Sequence, residues 1–234
     1  MIDQILQLHP GSSWLHVGGD EVWNLKTCSK CKNNNESNSD IFLGHMIPVL
    51  EYVKQHSKTP IMWDDMMRDW DLNKLIRMGQ LAEPMLWGYR TPLSQHFPKD
   101  TWSRYNTAFK RVWMASAFKG AFKSNADYVK IDVRVQNNLD WVHAASNLPN
   151  VTVAGLALTG WSRYDYFGSL CELLPAAIPS LAVCLTAIRK GKSTQSMNLI
   201  KRPYALHYLT ITLVESVHVF MRARRVILSI FYYY

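Results

Sequence analysis

The sequence predicts an α/β protein whose strands form a parallel sheet, as in a (β/α)8 barrel. Short apolar runs without polar alternation recur along the 234 residues, and a helical pattern follows each run. Such runs are typical of parallel strands that are covered on both faces. Acidic and tryptophan residues collect where the predicted strands end, and no glycine-rich phosphate loop is present. Because function gathers at the carboxyl ends of barrel strands, these observations favour a barrel over a doubly wound sheet.

The first two units each contain a strand, a turn and a helix. The apolar run 14–17 predicts the first strand, which ends at two glycines followed by two acids. The apolar spacing of 41–56 predicts the helix that follows it. The second run, 60–63, passes through two aspartates into a predicted helix at 71–78.

The next two units repeat this order with shorter apolar runs. Residues 85–87 predict the third strand, and a helix is expected within 92–109. Residues 112–115 predict the fourth strand, with its return helix at 133–147. Both strands are bounded by polar or turn-forming residues, which supports their assignment as short buried strands.

The fifth unit completes the regular part of the sequence. Residues 151–158 predict a strand that leads through Thr-Gly-Trp to a helix at 169–188. A complete barrel has eight such units, so the five predicted within 1–190 are three fewer than a closed barrel requires. Residues 191–234 form a basic and apolar tail of a different character.

The net charge of +8 belongs mainly to this tail. From residue 189 onward the chain holds eight of its 26 lysines and arginines but one of its 18 acids, so the remainder is nearly neutral. No basic patch with interleaved aromatic residues occurs in that remainder, which argues against nucleic-acid binding. The apolar stretch 203–221 is interrupted by a glutamate and two histidines, so we favour a poorly packed tail over a membrane span or an interfacial helix.

The four cysteines and the N-terminus predict an ordinary intracellular chain. Cys28 and Cys31 form Cys-Ser-Lys-Cys in a polar loop, but no second pair supplies further ligands for a metal. We therefore expect a reduced loop rather than a metal or redox site, and no cofactor. The first residues lack the pattern of a signal peptide, which predicts a cytoplasmic or nuclear location.

One segment resembles a known enzyme signature. His16-Val17-Gly18-Gly19-Asp20-Glu21 resembles the H-x-G-G-D-E motif of the family 20 glycoside hydrolases, the β-N-acetylhexosaminidases. Further stretches resemble this family in the expected order, and most closely its hexosaminidase D group: MWDDMMRDW, MLWGY, WMASAFKGA and LALTGWSRYDYFGSLCELLPAAIPSLA. Together they cover roughly residues 1–190, and the resemblance implies that this range is the C-terminal part of a family 20 barrel whose first three units are absent.

The resemblance implies a retaining, substrate-assisted reaction in which the 2-acetamido oxygen of the sugar attacks the anomeric carbon. Glu21 would protonate the glycosidic oxygen and then activate water, while Asp20 would hold the acetamido nitrogen. The two adjacent carboxyls would then need different environments. Since neighbours on a regular strand point to opposite faces, we expect a turn at Gly18-Gly19 to bring both into one pocket.

Tryptophans at three strand ends resemble the aromatic walls that these enzymes place around the sugar. Trp63, Trp87 and Trp161 are the residues in question, and each offers a flat apolar face to a pyranose ring. His16 is expected either to contact the sugar or to support a residue that does. Asp64 and Asp65 are further candidates, and two roles are open for each of them. They either bind sugar hydroxyls or brace the rim of the site.

The last strand departs from the wider family. Many relatives end it with Trp-x-Glu, whereas Asp165 is the nearest acid after Trp161 here. The family's Tyr-x-Asp has no match at 116–121, and Tyr89 or Tyr164 are the alternatives. We expect the partner to be a glycoconjugate with a terminal β-linked N-acetylhexosamine. This sugar can be either N-acetylglucosamine or N-acetylgalactosamine. The alternative is an inactive barrel fragment that binds a sugar or a partner protein, and a homodimer also stays open.

Overall fold

The computed structural model describes residues 1–33, 35–97, 100–120, 128–161 and 174–191, together with the backbone of 226–229. The helices are α1 Ile2–Leu8, α2 Asn38–Gln55, α3 Leu72–Leu81, α4 Thr101–Ala108, α5 Ile131–Ala144 and α6 Leu174–Lys190. The strands are β1 Trp14–His16, β2 Thr59–Trp63, β3 Glu83–Trp87, β4 Arg111–Lys119, β5 Thr152–Gly160 and β6 Val226–Ser229. Short 3-10 turns lie at Asp65–Met67, Leu93–Gln95 and Ala145–Asn147.

The described strands form one sheet in the order of the chain, from β1 to β6. β1 pairs in parallel with β2, and β2 pairs in parallel with β3. β5 and β6 are also parallel, with Leu156 opposite Val226. A helix lies between each strand and the next, as parallel neighbours require. The predicted α/β class with parallel strands is confirmed.

Several boundaries differ from the prediction. β4 continues to Lys119, whereas the sequence placed the strand end at residue 115, because 112–119 is buried throughout and its small and apolar residues continue the strand. β5 likewise extends to Gly160. The helix α1 and the strand β6 were not predicted at all. Most of the predicted tail lies outside the described residues, and so do residues 169–173 of the predicted helix 169–188.

The first compact unit contains residues 1–87, 98–113 and 150–152. Its core is built from one face of α2 and from β2. The buried side chains of α2 recur at helical spacing: Phe42, Leu43, Met46, Leu50 and Val53. The helix begins after Ser37, whose hydroxyl accepts a hydrogen bond from the Asp40 amide. Residues 60–63 of β2 are all buried, which explains why the strand shows no polar alternation.

The second unit contains residues 88–97, 114–149 and 153–234. Its apolar cluster consists of Phe118, Val129, Val135, Leu158, Ala177, Val183, Cys184 and Ala187. Two buried hydroxyls in this interior are paired, one with a side chain and one with the backbone. The Ser116 hydroxyl donates to Asn138 Oδ1 at 2.6 Å, and the Ser180 hydroxyl donates to the Phe118 carbonyl at 2.7 Å. In the described ranges, no helix combines the length and apolar content that crossing a membrane requires.

Candidate active site

The turn after β1 has a left-handed backbone at three of its residues. Gly18 and Gly19 have φ angles of 77° and 90°, and Glu21 has a φ of 51°. Glycine adopts this region without steric cost, whereas a residue with a side chain rarely does. The Gly18 amide donates to His16 Nδ1 at 3.1 Å, and the Trp63 amide donates to the Gly18 carbonyl at 3.0 Å. The predicted turn is therefore present, and β2 holds it from one side.

Glu21 combines a fixed main chain with an exposed side chain. Its amide donates to Asp65 Oδ2 at 2.8 Å, which holds the left-handed conformation in place. Partial loss of water around the carboxyl raises the pKa of Glu21, and the negative charges of Asp20 and Asp65 add to this effect. Such a carboxyl keeps its proton to a higher pH than an ordinary glutamate, which suits a general acid.

Asp65 bridges two parts of this unit with its two carboxylate oxygens. Oδ2 accepts the Glu21 amide, and Oδ1 accepts the indole N–H of Trp87 at 2.8 Å. Asp65 begins the 3-10 turn directly after β2, so it lies between the turn that follows β1 and the end of β3. Of the two roles that the sequence left open for Asp65, the structure shows the bracing one.

Asp64 is completely buried and fully engaged by protein groups. Its carboxylate accepts two hydrogen bonds from Arg68, Nε to Oδ2 at 2.8 Å and Nη2 to Oδ1 at 2.7 Å. The Trp87 amide and the Tyr105 hydroxyl donate to it as well, at 3.2 and 3.3 Å. Burial raises the pKa of Asp64, and the positive charge of Arg68 opposes that shift. The carboxylate thus braces its neighbours in this structure, and the predicted sugar contact of Asp64 stays a prediction.

Arg68 extends the brace to Trp87. Its Nη2 also donates to the Trp87 carbonyl at 2.7 Å, and the guanidinium carbon lies 5.2 Å from the centre of the Trp87 ring. The backbone amide, backbone carbonyl, indole N–H and ring face of Trp87 are thus each held by Asp64, Asp65 or Arg68. Sequence analysis missed Arg68 and Tyr105. The opposite charges of Asp64 and Arg68 at a spacing of four residues were the available signal for the first of them.

His16 and Trp63 lie together near this turn. Their ring centres are 4.6 Å apart with the planes tilted by 57°. Burial lowers the pKa of His16 to about 4, so the imidazole is neutral at physiological pH. Trp63 is only 4% exposed. Trp87 is half-buried and is therefore the more exposed of these two candidate wall residues, and the wall role of Trp63 stays a prediction.

Trp161 belongs to the second unit and follows β5 directly. It packs edge-on against Tyr89 with 6.0 Å between the ring centres, and the Lys119 ammonium donates to its carbonyl. A Cβ on Gly120 would lie 2.6 Å from the same carbonyl, so only glycine fits there. A sugar contact of Trp161 stays a prediction. Asp165 and Tyr164, the other candidates at this strand end, lie outside the described residues.

The first unit thus presents a carboxyl pair at the end of β1 beside a braced tryptophan at the end of β3. Asp20 is half-buried, while its neighbour Glu21 is exposed, which gives the two carboxyls different surroundings. Within the described part of the chain, no cluster of three or more histidine, cysteine, aspartate or glutamate side chains could hold a metal ion. The side chains that this site brings together are carboxyls and aromatic rings, and a carboxyl pair in unequal surroundings suits acid–base catalysis.

Comparisons with known proteins agree with this geometry. Residues 1–117, half of the chain, match the sequence model of the glycosyl hydrolase family 20 catalytic domain. The chain is 42% identical over 206 residues to Hexosaminidase D of Bos taurus, an alignment that covers 84% of this chain and 60% of that protein. It is 40% identical over 200 residues to Hexosaminidase D of Homo sapiens, covering 82% of this chain and 41% of that protein.

The matched segment contains the left-handed turn, the carboxyl pair and the whole Asp64–Arg68–Trp87 brace. The chain spans about half the length of the curated relatives that it matches. The catalytic domain of this family is a (β/α)8 barrel, and the parallel strands with intervening helices are part of that architecture. The chain is therefore a member of glycosyl hydrolase family 20.

Proposed function

We propose that this protein is a β-N-acetylhexosaminidase that removes terminal β-linked N-acetylhexosamine from glycoconjugates. The observation that carries the proposal is Glu21, an exposed carboxyl with a raised pKa whose main chain is fixed beside Asp20 and Trp87. Family membership supports the reaction class, and the name of both relatives, Hexosaminidase D, supports a hexosamine substrate.

The first step of the proposed reaction breaks the glycosidic bond. Glu21 donates its proton to the glycosidic oxygen while the 2-acetamido oxygen of the substrate attacks the anomeric carbon. The aglycone leaves as an alcohol, and a cyclic oxazolinium ion remains. Asp20 accepts a hydrogen bond from the acetamido N–H and stabilises the positive charge that develops on this nitrogen.

The second step returns the proton and releases the sugar. Glu21, now ionised, takes a proton from a water molecule that attacks the anomeric carbon. The bond between that carbon and the acetamido oxygen breaks, so the acetamide is restored. Two displacements at one carbon give N-acetylhexosamine with its configuration retained.

The charges around Glu21 suit both steps. Before the reaction, Asp20 and Asp65 favour the protonated acid, as the raised pKa of Glu21 reflects. After proton transfer, the positive intermediate compensates the added negative charge, so the ionised base is stabilised when it is needed. The two neighbouring acids thus assist the cycle without donating a proton themselves.

The tryptophans and the remaining candidates supply binding in this proposal. Trp87, held by Arg68 and Asp65, offers a rigid apolar surface whose immobilisation costs no further entropy on binding. Sugar contacts of His16, Trp161 and Asp165 are carried by the family resemblance. Each contact would add to the affinity for the pyranose ring without taking part in proton transfer.

A second candidate function is hexosamine binding without turnover. It is favoured by the braced, half-buried Trp87, which offers a surface for a sugar whether or not Glu21 transfers a proton. In this alternative the carboxyl pair and Trp87 still form a sugar subsite. The two functions differ in whether the glycosidic bond is broken.

The test uses purified chain with 4-nitrophenyl N-acetyl-β-glucosaminide and the matching galactosaminide. We expect release of nitrophenol that falls by at least about 100-fold in Glu21→Gln, because the acid and base are removed. Glu51→Gln, an exposed glutamate on α2, is the matched control and should keep full activity. Calorimetry with an N-acetylglucosamine thiazoline separates the alternatives. Binding without hydrolysis supports the second function, and neither binding nor hydrolysis contradicts both.

A further inference from the structure

The loop that follows Glu21 carries two free cysteines on one turn. The amides of Cys31 and Lys32 both donate to the Cys28 carbonyl, at 3.2 and 2.9 Å. A turn of this kind brings the Cα atoms of its first and fourth residues within about 7 Å, and a disulfide spans about 4.4 to 6.8 Å. Cys28 is exposed and Cys31 is half-buried. The two sulfurs can therefore be joined without a large movement of the backbone.

The two thiols have unequal surroundings. Cys28 is exposed and Cys31 is half-buried, so a small disulfide has the easier approach to the Cys28 sulfur. The backbone and thiol of Cys31 and the backbone of Lys30 favour the Cys28 thiolate, which lowers the pKa of Cys28. The neighbouring Cys28 side chain raises the pKa of Cys31. These differences assign Cys28 as the nucleophile and Cys31 as the resolving thiol.

We propose that Cys28 and Cys31 form a redox-active dithiol that closes to an intramolecular disulfide by exchange with a small disulfide such as oxidised glutathione. The Cys28 thiolate attacks one glutathione sulfur and expels the other glutathione as a thiolate, leaving a mixed disulfide on Cys28. Cys31 then loses its proton and attacks the Cys28 sulfur, expelling the second glutathione. Two thiols are oxidised and one glutathione disulfide is reduced to two thiols.

Cys184, the remaining cysteine among the described residues, does not share these properties. Cys184 is completely buried, and burial raises its pKa to about 12, so it reacts slowly as a nucleophile. Cys171 lies outside the described residues and is therefore removed by substitution in the experiment. In the described ranges no third metal-ligating side chain joins the pair, which favours redox exchange over metal binding.

The experiment treats the reduced full chain, carrying Cys171→Ser, with glutathione buffers of stepped ratio, then quenches with acid. Intact mass and peptide mapping are the readouts. We expect a peptide in which Cys28 is linked to Cys31, with the loss of two hydrogen atoms and of two titratable thiols. Adding Cys31→Ser should trap a stable glutathione adduct on Cys28. Adding Cys28→Ser instead should make the adduct on Cys31 form at least about threefold more slowly.

Three outcomes would overturn the proposal. They are the absence of a linked peptide at any ratio, a wild-type adduct that never resolves, and equal adduct rates in the two single-cysteine variants. The same buffers applied to the chain with its natural Cys171 should give the same linkage. Because every readout is a mass or a thiol count, the result does not depend on whether the chain hydrolyses a glycoside.

Discussion

Glu21 shares its surroundings with two other carboxylates, and one of them can be neutralised with little change in shape. In Asp65→Asn, one negative charge that raises the pKa of Glu21 is removed, so that pKa falls. The acid then loses its proton at a lower pH, and we expect the alkaline limb of the pH profile of kcat/KM to move to lower pH. The amide can keep only one of the two hydrogen bonds, so kcat should fall as well.

Asp69→Asn is the matched control for this variant, because Asp69 is exposed and lies in the same segment after β2. Its pH profile should coincide with that of the wild type. A profile of Asp65→Asn that keeps its alkaline limb would show that the Asp65 charge does not act on Glu21.

His16 makes the stability of the protein depend on pH. The pKa of His16 is about 4 in the folded protein and about 6.5 in a model peptide. Between these two pH values the unfolded chain binds a proton at His16 and the folded protein does not. The free energy of unfolding is therefore highest above pH 6.5 and falls as the pH drops towards 4, by on the order of 3 kcal/mol at most. Urea unfolding at several pH values measures this slope. His16→Asn, which keeps an acceptor for the Gly18 amide, should flatten it, and an unchanged slope would assign it to other groups.

Two helical glycines of the first unit should respond in opposite ways to alanine. A Cβ on Gly79 of α3 would lie 2.3 Å from the Ala108 carbonyl at the end of α4, so the helices must separate. We expect Gly79→Ala to destabilise the protein by about 1 to 3 kcal/mol. Gly44 of α2 has open space at the same position, and Gly44→Ala should stabilise by about 0.5 to 1 kcal/mol. Thermal unfolding of both variants measures the difference, and equal effects would contradict the close helix contact.

The strands and helices were predictable where the buried apolar residues follow a single regular spacing along the chain. The apolar run of β2 and the helical spacing of α2 fell close to their observed bounds because both elements bury a regular set of side chains. β4 was cut short because Ser116 and Lys119 read as a polar turn. In the structure the Ser116 hydroxyl pairs with Asn138 and the Lys119 ammonium with the Trp161 carbonyl, so both polar groups are satisfied inside. Sequence alone does not reveal such distant partners.

The candidate site was predictable to a similar degree. A recognisable motif located Asp20 and Glu21, and strand ends located the tryptophans. The roles of Asp64 and Asp65 were not separable, because adjacent aspartates differ only in which one faces the interior. Arg68 decides this, since a guanidinium that is itself buried must pair with the buried carboxylate.

On the scale of the whole molecule, breaking the buried Asp64–Arg68 pair should remove a large share of the net stability. Arg68→Met leaves the buried Asp64 carboxylate without its cation, at a cost of about 3 to 5 kcal/mol. Typical domains have a total stability of about 5 to 15 kcal/mol. The double variant Asp64→Asn, Arg68→Met removes both charges and should lose less than Arg68→Met alone. Urea unfolding gives the free energy of unfolding of both variants. A double variant that is less stable than Arg68→Met would argue against the charge explanation.

The hydrogen bond from the Glu21 amide to Asp65 has a dynamic consequence. It restrains the main chain and leaves the carboxyl outside, so the side chain can rotate about its own bonds while its attachment point stays still. In the proposed reaction Glu21 faces the leaving oxygen in one step and a water molecule in the next, and a fixed main chain with a mobile carboxyl suits both. The backbone sets where the carboxyl works, and fast side-chain rotation sets which atom it addresses.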